Sequence, residues 1–114
     1  MRVARAALAP GTACAVELHA SWGLGTTGAI LTCDAAGQPR AWLNRCPHAR
    51  WPLDTFDGRF LFTQDGALIC AAHGALFDPG SGRCLGGPGR GEPLTAIALD
   101  LSEPDTITLL PPSA

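Results

Sequence analysis

Glycine and proline interrupt this chain so often that no segment carries twelve residues of clean 3.6-residue periodicity. Fourteen Gly and ten Pro occur among 114 residues, about a fifth of the total. Proline removes a backbone donor and glycine carries no side chain to pack, so this punctuation suits many short strands joined by turns rather than long helices. The expected class is all-β, and the length accommodates one domain, taken as residues 1–114, with no room for a second independent core.

The strand candidates follow the apolar runs between the breaks. Ala13–His19 is a mixed run, and Ala29–Asp34 is a better one. A turn at Ala35–Pro39 then leads into Arg40–Arg45, which together predict a hairpin. Val3–Ala9 is alanine-rich and reads as a helical turn, and Trp22–Gly28 reads as loop. Arg59–Thr63, Ala67–Cys70 and Ala75–Phe77 are further strand candidates, with a turn at Asp78–Gly82 and a looser loop at Gly86–Gly91. Thr95–Leu101 and Thr106–Leu110 read as a closing strand pair around Ser102–Asp105.

Composition excludes several roles. Eight basic against ten acidic residues leave a formal charge of −2, so the basic surplus of a nucleic-acid binder is absent. The 46% hydrophobic content is enough for a core. The apolar stretch before Pro10 is too short for a secretory h-region, and no run approaches the ~20 apolar residues that span a bilayer. The expectation is a cytoplasmic protein without a membrane role, in which five cysteines serve as metal ligands or buried small residues rather than disulfides. No nucleophile–base pair or paired-carboxylate site is evident, and Gly86–Gly91 does not lead from a strand into a helix as a phosphate-binding loop does. Catalysis by this chain alone is not expected.

The chemistry is concentrated in two short segments. Cys46-Pro47-His48 is followed, after 21 residues, by Cys70-Ala71-Ala72-His73. Each Cys–His pair is spaced to reach one metal centre from a tight loop, and both loops follow strand candidates. Three readings compete: unrelated buried cysteines and structural histidines, a structural Cys2His2 zinc site, and a [2Fe–2S] cluster with two thiolates on one iron and two imidazoles on the other. Zinc sites more usually place like ligands together, whereas each loop here mixes the two types. His19, the third histidine, reads as a structural or surface residue.

The flanking residues carry a family resemblance. Asn44-Arg45-Cys46-Pro47-His48 with Pro52-Leu53 is similar to the first ligand loop of Rieske ferredoxins. Cys70-Ala71-Ala72-His73-Gly74-Ala75-Leu76-Phe77-Asp78 is similar to their second ligand loop, and Gly82–Pro88 to the proline-bearing loop that covers the cluster. The resemblance runs from about Ala29 to Leu110 and is densest over residues 44–94. It implies three stacked antiparallel sheets with the cluster-binding loops at one tip. Cys46 and Cys70 would then hold the inner iron, and His48 and His73 the outer one. The 21-residue gap is a few residues longer than in many short Rieske ferredoxins, with the extra length falling at Thr55–Gln64.

The resemblance also marks absences. High-potential Rieske proteins carry a disulfide between the two loops, and the corresponding positions here are Trp51 and Ala72. They also carry hydroxyls two and four residues after the second histidine, where this chain has Ala75 and Phe77. Missing hydrogen bonds to sulfur lower the potential, so the expectation is the low end of the Rieske range, on the order of −150 mV. The implied role is a one-electron carrier between a reductase and a terminal oxygenase or other oxidoreductase. The alternatives are a tightly bound, nitrite-reductase-like small subunit, a zinc-stabilised interaction module, and a redox or iron sensor. Trp51, Pro52, Leu53, Leu76 and Pro88 are the expected rim for partner docking, with packing as the competing role for Trp51. Residues 40–90 hold six Arg against four Asp, a mildly basic cluster end in an otherwise acidic chain. Cys14, Cys33 and Cys84 are expected to be free thiols, Cys33 in the core.

Overall fold

A computed structural model of the chain describes residues 2–8, 12–18, 22, 28–33, 37–45, 53–54, 59–70, 74–86 and 92–111. Among them, eleven short strands and one 3-10 turn at Arg5–Ala7 form three antiparallel sheets, as the all-β expectation required. The central sheet contains β2 (Ala13–Val16), β3 (Ala29–Cys33), β4 (Pro39–Leu43) and β9 (Ala96–Ile97), in that order. The hairpin predicted around residues 35–39 is the β3–β4 pair, with Ile30 opposite Trp42 and Leu31 opposite Ala41. The sheet next to the expected ligand Cys70, called the ligand-bearing sheet for that expectation, runs β5 (Leu61–Phe62), β6 (Leu68–Ile69), β7 (Leu76–Phe77), β8 (Cys84–Gly86). The terminal sheet is β1 (Arg2–Ala4), β11 (Thr106–Leu109), β10 (Leu99–Asp100).

Strand β3 explains the layering. All five of its residues are buried, so both faces of the central sheet are covered. Ile30, with Trp42 from β4, joins a core made with Leu53, Leu68, Cys70, Ala75, Phe77 and Leu94. Ala29, Leu31 and Cys33 lie on the opposite face, in a second core with Leu8, Ala41, Ile107 and Leu109. The near-continuous apolar run of β3 is what a strand covered on both faces requires.

Two expectations are corrected. The Thr95–Leu101 run is not one strand paired with Thr106–Leu110: it divides at Ala98. Its first part, β9, pairs with β4 of the central sheet, and its second part, β10, pairs with β11. Ile97, Leu99 and Leu101 nevertheless all pack on the same core, so the period-2 apolar face stays continuous while the backbone changes neighbours. At the N-terminus, the helical turn is confined to Arg5–Ala7, and Arg2–Ala4 instead forms β1 against β11. An exposed Arg2–Glu103 ion pair at 2.9 Å accompanies that pairing and adds little to stability. Strand β8 lies in a stretch without a strand expectation, where it completes the ligand-bearing sheet.

The ligand-bearing sheet is locked to the central sheet through one turn. Asp78–Gly82 turns as expected: the Gly82 N–H donates to the Asp78 carbonyl at 2.7 Å, and the Gly80 N–H donates to the Asp78 side chain at 2.8 Å. From the central sheet, the Thr32 hydroxyl donates to the Pro79 carbonyl at 2.9 Å and the Trp42 indole N–H to the same oxygen at 3.2 Å. Gly82 has φ +76° and lies against the Trp42 ring, where an added Cβ would come within 2.6 Å of Cζ3. Gly82→Ala is therefore expected to cost about 2–4 kcal/mol, combining the left-handed backbone penalty with overpacking, and to lower Tm measurably in thermal denaturation.

Candidate metal centre

Of the four expected ligands, Cys70 is among the described residues, whereas Cys46, His48 and His73 lie outside them. The expected rim residues Trp51, Pro52 and Pro88 also lie outside, as does His19. The site is therefore defined by the roots of its loops.

The root of the second ligand loop is Cys70 itself. It follows β6 directly and is fully buried in the core between the ligand-bearing and central sheets. Its N–H donates to the Ala75 carbonyl at 2.8 Å, and its carbonyl accepts from the Gly74 N–H at 2.8 Å. Two backbone bonds thus close the segment carrying residues 71–73, and Gly74 supplies the positive φ of +76° that the tight return needs. Ala75 and Phe77, the positions expected to lack hydroxyl donors, are 0% and 1% exposed in the same core as Cys70.

The first ligand loop leaves β4 at Asn44. The Asn44 N–H donates to the Gly28 carbonyl at 2.9 Å. Its side-chain Oδ1 accepts from the Leu53 N–H at 2.8 Å, and its Nδ2 donates to Asp54 Oδ1 at 3.2 Å. The two ends of the segment containing Cys46 and His48 are thereby joined. Leu53 is 0% exposed and shares a core with Cys70, which corrects its place among the docking-rim candidates: it anchors the loop from beneath. Leu76, on β7, is half-buried. The third loop is bracketed in the same way, since β8 ends at Gly86 and the returning chain is held where the Leu94 N–H donates to the Gly82 carbonyl at 2.8 Å. All three loops rise from one core.

This arrangement fits the donor set. The expected set, two cysteines and two histidines divided between the two segments, is of the kind that holds a diiron cluster with chemically different irons. The buried Cys70 meets the requirement that a sulfur ligand come from the protein side of such a centre. Sequence reasoning missed the structural role of Asn44; the available signal was an asparagine at a strand exit, a residue type that readily bonds backbone groups of a following turn.

The model of the Rieske [2Fe–2S] domain matches residues 7–102. This chain belongs to that family, whose domain binds a [2Fe–2S] cluster and serves electron transfer. A 4β-methylsterol monooxygenase from Methylococcus capsulatus is 45% identical over 51 residues, which is 45% of this chain and 12% of that protein. The chain thus spans about an eighth of that relative's length. The fold is shared with a chain from the complex of reduced oxygenase and oxidized ferredoxin in carbazole 1,9a-dioxygenase (TM-score 0.66, 20% identity, covering 95% of this chain and 92% of that one). It is also shared with a protein described as the small subunit of an NADPH nitrite reductase (TM-score 0.62, 14% identity, covering 96% and 98%). Among the described residues, no helix is long and apolar enough to cross a membrane.

The remaining described cysteines stand apart from this chemistry. Cys14, Cys33 and Cys84 form no disulfide, and Cys33 is buried in the core as expected. Burial pushes the half-buried Cys14 thiol above the usual thiol range. The folded state therefore disfavours the Cys14 thiolate, and its contribution to stability falls as pH rises into the alkaline range. Alkylation of Cys14 by iodoacetamide is expected to be slower in folded than in unfolded protein at pH 8, read by mass spectrometry. Gly74→Ala is expected to cost about 1–2 kcal/mol through its positive φ, since nothing among the described residues beyond its chain neighbours lies within 4 Å of the added Cβ.

Proposed function

We propose that this chain is a low-potential one-electron carrier whose cluster is held by Cys46 and Cys70 on one iron and His48 and His73 on the other. The observation that carries the reading is the convergence of the loop roots: Leu53, closing the first ligand loop, and Cys70, opening the second, occupy the same buried core. When bound, the cluster supplies a one-electron couple. The chain's own residues fix its surroundings. Two neutral imidazoles in place of two thiolates leave the histidine-bound iron the more electropositive, so the added electron would localise there. Imidazoles can also exchange a proton with solvent, which would couple electron uptake to pH.

The potential follows from the surroundings of the thiolates. Ala75 and Phe77 present no hydroxyl donors within the core of Cys70, which supports a proposed midpoint near the lower end of the Rieske range, on the order of −150 mV. The donor is proposed to be a flavin- or NAD(P)H-linked reductase and the acceptor a terminal oxygenase or another oxidoreductase. The near end-to-end match with a chain of the oxygenase–ferredoxin complex supports this assignment. Trp51, Pro52, Leu76 and Pro88 remain the proposed docking rim, in a mildly basic part of the chain that favours an acidic partner face. The chain itself is proposed to carry no catalytic site, and a cytoplasmic location is proposed with it. A second reading, a permanently bound small subunit, is favoured by the similarly complete match with the nitrite reductase small subunit. Family membership sets aside a zinc-only module.

An anaerobic absorption and EPR spectrum before and after dithionite, with iron and zinc quantified, tests the reading. Two irons per chain and a reduced signal with average g near 1.9 (the family's signature) are expected; one zinc and no iron after reconstitution would overturn it. Cys70→Ser and His73→Ala are expected to lose the cluster and lower Tm together, because metal binding and folding are coupled in so small a domain. Ala75→Ser, adding one hydroxyl donor, is expected to raise the midpoint by about 40 mV, roughly one hydrogen bond in a one-electron couple. Co-purification in a stable complex would favour the bound-subunit reading.

A further inference from the structure

We infer that Asn44 is a positioning residue for the cluster, its amide setting where the first ligand loop stands relative to Cys70. This inference rests on the proposed assignment of Cys46 and His48 as ligands. Asn44 is the last residue before the chain turns away from β4: the Arg45 N–H already folds back to the Leu43 carbonyl at 2.8 Å. Its backbone is pinned to Gly28 at 2.9 Å, so its side chain projects from a fixed point. From there one amide makes two bonds of opposite sense. It accepts from the Leu53 N–H at 2.8 Å and donates to the Asp54 carboxylate at 3.2 Å.

Both partners lie at the far end of the loop, and the first belongs to a fully buried residue. Leu53 packs into the core that holds Cys70, so a shift of Leu53 would be felt by Cys70 and by the Ala75 and Phe77 positions around it. Closing a loop of this length costs chain entropy that the amide's two bonds offset. Opposite the Asp54 carboxylate, a small side chain that both donates and accepts is required at 44. An aspartate at 44 could still accept from Leu53 but would set a second carboxylate against Asp54, and an alanine could do neither. Loosening this root would let the first pair of ligands drift from the second. The cluster would be lost more readily, and the electronic environment of both irons would change.

The test uses the holoprotein and exchanges donor and acceptor. Asn44→Ala and Asn44→Asp are expected to release iron to a chelator about tenfold faster than wild type at pH 7, with altered EPR g values and a shifted midpoint. The double variant Asn44→Asp with Asp54→Asn keeps the Leu53 N–H donating to position 44 and reverses only the bond between the two side chains, and is expected to return the release rate to within about twofold of wild type together with its g values. A wild-type release rate and spectrum in Asn44→Ala, or no recovery in the double variant, would overturn the inference. Cys46→Ser serves as the control: loss of the cluster there supports the ligand assignment independently of Asn44. A wild-type two-iron spectrum in Cys46→Ser would overturn that assignment and the inference with it.

Discussion

The Trp42 indole holds the molecule together at the point where it has least regular structure. The ligand-bearing sheet consists of strands of two or three residues, too few ladder bonds to persist without support. Its attachment to the central sheet runs through a buried ring that presses on Gly82 and donates to the Pro79 carbonyl. Thr32, the buried polar residue of β3, fits this arrangement: its hydroxyl donates to that same carbonyl and accepts from the indole at 3.3 Å. A polar group this deep is tolerated because each of its roles is filled. With the turn fixed, β7 is fixed, and with β7 the end of the loop that begins at Cys70.

Short hydrogen bonds lie at the loop roots, where an electron carrier benefits from fixed surroundings. Electron transfer is fast when the metal's surroundings change little between oxidation states, and each loop root here is closed by short hydrogen bonds over a filled core. Cys70 uses its own backbone N–H and carbonyl for the purpose, Asn44 uses a side chain, and the third loop is held at Gly82 and Leu94. Three different local devices converge on one cluster of apolar side chains, so the loops share a common reference.

Much of this was legible in the sequence because it is local. The β3–β4 hairpin follows from two apolar runs about a glycine-bearing turn, and the Asp78–Gly82 turn follows from its composition. The Cys–His spacings pointed to a metal site, and the resemblance carried by their flanking residues pointed to the [2Fe–2S] cluster that the family binds. What escaped was decided at long range. Whether Thr95–Leu101 pairs with one sheet or two depends on edges offered by β4 and β11, which no local pattern encodes. β1 likewise exists because β11 has a free edge for Arg2–Ala4, despite an alanine-rich sequence. Leu53 was misplaced at the rim because the family motif gives its position in the loop but not the depth of the core beneath it.

The division between the two cores bears on function. The second core, with Leu8, Leu31, Ile107 and Leu109, uses strands drawn from both ends of the described chain and contains none of the expected ligands. The buried residues of the first, with Cys70, Leu53 and Trp42, fall within residues 30–94, with Ala13 packed against them. A chain that loses its cluster would therefore keep one core intact while the other loses the metal that ties its loops together. The free energy of metal binding then falls mainly on the ligand-bearing sheet.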